Sequence, residues 1–222
     1  MQRLVQGLHH FQSQVFSSHK DLFERLENGQ SPETLFITCS DSRIDPNLIT
    51  QTGPGELFIL RNVGNLVARY DEHVGSTAAA IEFAVVALKV REIIVCGHSN
   101  CGAMQAVLDP ALIEGLPAMK AWMSHAAETG RIVRENYSDL EGEARFTATV
   151  EENVLVQLEN LRTHPSVAAA IEQGALRLHG WVYKIQTGEV FAYDASQAQF
   201  TALTEAGVAP LDEAHRSSDL SI

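Results

Sequence analysis

Residues 35–43 read LFITCSDSR, an apolar run that breaks into a thiol, a carboxylate and a guanidinium within a few residues. Leu35, Phe36, Ile37 and Thr38 are apolar or β-branched, the composition of a buried strand. Residues 92–104, EIIVCGHSNCGAM, repeat the design: an apolar strand, then His98 and Cys101. Strands this continuously apolar belong inside parallel sheets, and open parallel sheets bind ligands at the carboxyl ends of their strands. If the two strands are neighbours, Cys39, His98 and Cys101 converge.

The segments around these two alternate in the same way. DPNLITQ is a short helix with Asp45 as N-cap and Pro46 in its first turn. ELFILRN is a strand, and Gly75 to Val90 is a helix opened by Ser76 or Thr77. Helix resumes near Gly102, and residues 115–136 and 146–162 are further helices, the latter with Val150, Val154, Leu158 and Leu161 on one face. SVAAAIEQG is a short helix, and ALRLHGWVYKI and VFAYD flank the turn QTGE as a hairpin. Ahead of the first strand, Leu4, Val5, Leu8, Phe11 and Val15 stand at helical spacing, and Ser17 or Ser18 can cap a second helix to about Leu26. The expected fold class is α/β: a mostly parallel central β-sheet flanked by helices, with an antiparallel edge strand and an N-terminal helical arm over residues 1–30. Residues 1–222 are expected to form a single domain, with a frayed tail from 212.

Composition bounds the function. The chain has 222 residues, enough to bury a core without staples, and 45% are hydrophobic. Lys+Arg number 16 against 28 Asp+Glu, a net charge of −12, which argues against a nucleic-acid partner or an anionic membrane. Three cysteines do not make a secreted disulfide framework. No apolar run reaches membrane-spanning length, and the N-terminus has no signal-peptide pattern. The expected setting is the reducing cytoplasm.

A His-x-x-Cys pair with a distant cysteine is the mixed nitrogen and sulfur set that suits zinc. Cys101 also precedes a helix, whose N-terminus favours the thiolate. Other chemistries fit less well. GHSNCG is not a G-x-S-x-G nucleophile elbow, and CSDSR has no glycine for a phosphate loop. A closed structural site of Cys39, Cys96, His98 and Cys101 is the serious rival, although Cys96 ends an apolar run and reads more simply as core. Asp41 and Arg43 favour catalysis, because a closed site needs neither. With three protein ligands the fourth position takes water, which the metal acidifies. A carboxylate beside it can accept that water's hydrogen bond, and an arginine can hold the carboxylate off the metal.

With CSDSR and HSNC in hand, the chain resembles the β-class carbonic anhydrases, whose motifs are Cys-x-Asp-x-Arg and His-x-x-Cys. PGELFILRNVGN, AAIEFAVVALKV and LHGWVYKI also look like the family, and DPNLITQ looks most like its bacterial and cyanobacterial members. The resemblance implies Zn2+ on Cys39, His98 and Cys101, an Asp41–Arg43 gating and orienting pair, and reversible hydration of CO2 to bicarbonate and a proton. It implies an interwoven homodimer or higher homo-oligomer whose N-terminal helices embrace the partner. Some members work in carboxysomes. Two rivals follow: relatives that hydrolyse CS2 or COS, and a non-catalytic, bicarbonate-responsive protein with structural zinc. The sequence departs from plant-type members at Gly53, where they carry glutamine, and from many members at Phe83, where they carry tyrosine. Some bacterial relatives have a regulatory bicarbonate pocket built from a tryptophan, an arginine and a tyrosine. Arg61 and Tyr183 match it, but the tryptophan position is Phe36, which has no N–H to offer an anion. The expectation is an open resting state, with Asp41 on Arg43.

Overall fold

The computed structural model describes residues 1–70 and 75–204. Six strands form one sheet: β1 (Thr34–Cys39), β2 (Leu57–Asn62), β3 (Glu92–His98), β4 (Arg177–Tyr183), β5 (Val190–Asp194) and β6 (Gln199–Ala202). Their order is β2-β1-β3-β4-β5-β6. β1 to β4 pair in parallel, β5 pairs antiparallel with β4, and β6 pairs antiparallel with β5. The chain leaves β1 for β2 on one side and returns to place β3 on the other. The strand order therefore reverses between β1 and β3, the topological position at which open α/β sheets form a ligand crevice.

Register follows from side-chain alternation. Leu35, Ile37 and Cys39 of β1 and Ile93 and Val95 of β3 face the main core. There they meet Val150, Val154, Leu158 and Leu161 from the long helix Gly142–Arg162. Phe36, Ile94 and Cys96 form a smaller cluster of their own. Two glycines let the long helix lie close to the sheet. A Cβ at Gly97 would stand 2.9 Å from Val154 Cγ2, and one at Gly180 would stand 2.8 Å from Val154 Cγ1. Among the described residues no helix is long and apolar enough to cross a membrane.

Several expected boundaries move. The N-terminal arm is helical over Gln2–His10, widens to π-type turns over Phe11–Val15, closes at Phe16–Ser18, breaks at His19 and resumes over Lys20–Leu26. Neither serine caps the second helix: Ser18 Oγ donates back to the Val15 carbonyl at 2.8 Å. The helix expected to reach Val90 runs over Ser76–Glu82 and widens over Phe83–Ala87. Lys89 then turns into the left-handed region at φ 56° and ends it. The long helix starts at Gly142, ahead of the expected residue 146. Residues 115–136 break into the helices Pro117–Trp122 and Ala127–Asn136 around a 3-10 turn, Met123–Ala126. β6 goes beyond the expected hairpin; it adds a second antiparallel pairing at the sheet edge. The tail expected to fray from 212 lies outside the described residues.

The glycine contact yields a stability test. Gly180→Ala should overpack the seam between sheet and helix and cost about 1–3 kcal/mol, read as a lower urea midpoint with an unchanged slope. An unchanged midpoint would mean that the helix does not press on β4 as described.

Candidate metal centre

β1 and β3 deliver the site. They pair in parallel from Thr34 opposite Glu92 to Thr38 opposite Cys96. Cys39 is the last residue of β1 and His98 the last of β3. Beyond His98 the chain turns through Asn100, at φ 56°, so that Cys101 stands as N-cap of the helix Gly102–Leu108. The side-chain nitrogen and sulfur atoms that Cys39, His98 and Cys101 could offer a metal all lie within 4.8 Å of one another, and all three residues are buried. Cys96 stays with Phe36 and Ile94, so the closed four-ligand set does not assemble. Burial pushes its thiol up to about 12, as expected of a core cysteine.

The histidine tautomer follows from its partner. His98 Nδ1 lies 2.9 Å from the Ser99 carbonyl oxygen, which can only accept, so Nδ1 carries the proton. Nε2 is left with its lone pair, buried and without a hydrogen-bond partner. Buried polar atoms are rarely left unpaired, and a metal between Nε2 and the two sulfurs would satisfy this one. The sulfurs fit the same reading. The Cys101 side chain, as hydrogen-bond partner, holds the Cys39 thiol below its usual range, and the Gly64 N–H adds to this. The hydrogen bond with Cys39, followed by burial, raises the Cys101 thiol. A divalent ion between them would let both sulfurs ionise.

Asp41 lies just outside this triangle, its Oδ2 3.9 Å from His98 Nε2. Arg43 grips it through Nε to Oδ1 at 3.0 Å and through Nη2 to Oδ2 at 2.7 Å, and the Arg43 backbone N–H adds a bond of 3.0 Å to Oδ1. This grip holds the Asp41 carboxyl far below the usual carboxylate range. Arg43 Nη2 also donates to the Asn100 carbonyl at 3.0 Å, tying the first motif to the second. The pairing of Asp41 with Arg43 expected from the sequence is present.

Three supporting features were not read from sequence. Arg61 of β2 donates to the Cys39 carbonyl at 3.0 Å and to the Asp41 carbonyl at 2.7 Å, fixing the backbone on which both side chains stand. The Gly64 N–H donates to Cys39 Sγ at 3.3 Å. Ser99 is anchored by its N–H to the Tyr183 carbonyl and by its hydroxyl to Gln186. Only the glycine in NVGN hinted at a close backbone approach. Phe36 is fully buried with its ring edge-on to Trp181. Phe83 is half-exposed and packs on Phe58 of β2.

A family model described as carbonic anhydrase matches residues 34–190. A carbonic anhydrase of Synechocystis sp. is 51% identical over 203 residues, covering 91% of this chain and 74% of that protein. A solved structure of the β-carbonic anhydrase CcaA superposes with a TM-score of 0.89 at 51% identity, over 91% of this chain and 99% of that one. Tetrameric β-carbonic anhydrases from Sordaria macrospora give a TM-score of 0.78 at 29% identity, over 86% of this chain and 95% of theirs. A family model over residues 34–190, a relative 51% identical and a superposing β-class structure together show that the chain belongs to the β class of the carbonic anhydrase family.

Proposed function

We propose that this carbonic anhydrase carries out the reversible hydration of CO2 with zinc held by Cys39, His98 and Cys101. The observation that carries the reading is the buried, unpartnered Nε2 of His98 facing two buried sulfurs. Two sulfurs and one nitrogen are borderline-soft donors, the set that zinc favours, and three ligands leave a fourth position open. A zinc ion bound there supplies a water acidified for attack on CO2.

The chain's own residues do the rest. Asp41, ionised and acceptor-only, takes a hydrogen bond from the reacting water and aims its lone pair. It is too weak a base to keep the proton, which passes on to solvent or buffer; the side chain of Asp41 is 16% exposed and that of Arg43 47%, so the way out is short. Arg43 keeps the carboxylate off the metal position, and Asn100 and Arg61 keep the whole turn from shifting. Cys96 stays in the core and takes no part.

The assembly is a homodimer or a larger homo-oligomer, built on the arm of residues 1–30 of a single domain. Leu4, Leu8 and Phe11 of the arm are exposed in the single chain, an apolar stripe that a second copy would cover. The tetrameric relatives point the same way. The reading places the chain in the cytoplasm, free or in carboxysomes, without a nucleic-acid or membrane partner.

Asp41→Ala and Arg43→Ala test the pair. Both should keep the fold and bind zinc, yet lose about 10–100-fold in CO2 hydration by stopped flow, the usual cost of removing such supporting groups. Near wild-type rates in either variant would remove Asp41 and Arg43 from the mechanism, and zinc without any hydration would leave a structural metal.

The same geometry bears on regulation. Phe36 offers no N–H, and Arg61 is committed to the Cys39 and Asp41 carbonyls. Activity should therefore fall smoothly as pH drops, following ionisation of the reacting water, with little response to bicarbonate at constant ionic strength. A steep collapse below neutral pH that bicarbonate deepens would contradict this.

A further inference from the structure

A single peptide group lies between Trp122 and Cys39. The Trp122 indole Nε1–H donates to the Val63 carbonyl oxygen at 2.8 Å. The same peptide unit carries the Gly64 N–H, which donates to Cys39 Sγ at 3.3 Å. A trans peptide points its C=O and N–H in opposite directions, so a donor on one side and an acceptor on the other fix its plane. The following unit is fixed as well, because the buried Asn153 Nδ2 donates to the Gly64 carbonyl at 3.1 Å. Gly64 is required at this point: its φ is +82°, and a Cβ would lie 2.9 Å from that of Ala103.

The chemistry follows from polarisation. A hydrogen bond accepted by an amide carbonyl makes its N–H a stronger donor, because linked hydrogen bonds reinforce one another. An N–H aimed at a thiolate withdraws charge from the sulfur, and partners of metal ligands tune the metal by this route. Trp122 closes the helix Pro117–Trp122, so its ring direction is set by a regular element rather than by a loop.

We propose that Trp122 is a positioning residue for the metal centre. Its indole N–H, acting through the Val63–Gly64 peptide, aims and strengthens the amide hydrogen bond to the Cys39 sulfur, and so sets how much charge that sulfur gives the metal. The inference rests on the reading above that Cys39 is a metal ligand. The competing explanation is plain packing, since the Trp122 ring also lies edge-on to His125 at 5.1 Å.

Cobalt(II)-loaded protein separates these explanations, because the thiolate-to-cobalt charge-transfer band reports the charge on sulfur directly. Trp122→Phe keeps an aromatic ring and removes the N–H. The band should move to longer wavelength, and the Gly64 amide proton resonance of zinc-loaded protein should move upfield. His125→Ala removes the ring contact and leaves the N–H, so both signals should stay at their wild-type positions. Trp122→Leu, read in the same way, is the second variant should the phenylalanine not fold. Unchanged signals in the Trp122 variants, or equal shifts in His125→Ala, would overturn the inference. A wild-type chain with no thiolate-to-cobalt band would overturn the assignment of Cys39 as ligand, and this inference with it.

Discussion

The pairing of β1 with β3, parallel and in register from Thr34–Glu92 to Thr38–Cys96, is the constraint on which the site depends. Two separate stretches of chain, each ending in side chains that could hold a metal, are brought side by side by the backbone hydrogen bonds of the strands that carry them. The apolar residues of both strands hold the register, because a one-residue slip would turn Leu35, Ile37, Ile93 and Val95 away from the core. The same slip would turn Cys39 away from His98. Core packing and site geometry are therefore one requirement, and the alternation that buries the strand also selects Cys39 over Cys96 as the thiol that reaches the site.

The segment after β2 is held by a different device. Residues 63–68 have few backbone partners, so side chains take their place. Along the long helix and just past its end, Asn153, Gln157, Asn160 and His164 bond in turn to Gly64 O, Val67 N, Val67 O and Ala68 O. Asn62 spans both the N–H and the carbonyl of Leu66. These helix residues are buried beside the apolar stripe of the same helix. Removing one partner would leave a buried group unsatisfied, at about 1–3 kcal/mol. The helix therefore serves two faces at once: one packs on Gly97 and Gly180, and the other fixes the loop whose Gly64 N–H meets the Cys39 sulfur.

Much of this is legible in the sequence. The parallel strands, the N-cap at Asp45 with Pro46 after it, and the convergence of Cys39, His98 and Cys101 follow from local chemistry that the fold respects. The misses have physical causes. β6 is four residues, QFTA, whose strand character comes from pairing with β5 rather than from its own composition. The helix end at Lys89 and the break at His19 carry no glycine or proline to mark them. The polar ladder was hidden because asparagine and glutamine on a helix read as solvated surface, and only the missing backbone partners of residues 63–68 reveal that they face inward. Trp122 was silent for the same reason, since its partner is a carbonyl 59 residues away.

The most direct measurement of the central claim is zinc K-edge X-ray absorption on the loaded protein, because it counts ligands without altering them. The account predicts one zinc per chain with two sulfurs at about 2.3 Å and one imidazole nitrogen and one oxygen at about 2.0–2.2 Å. Three sulfurs would bring Cys96 into the site and contradict the division of the two sheet faces described here. A shell of nitrogen and oxygen alone would contradict the proposed ligand set entirely.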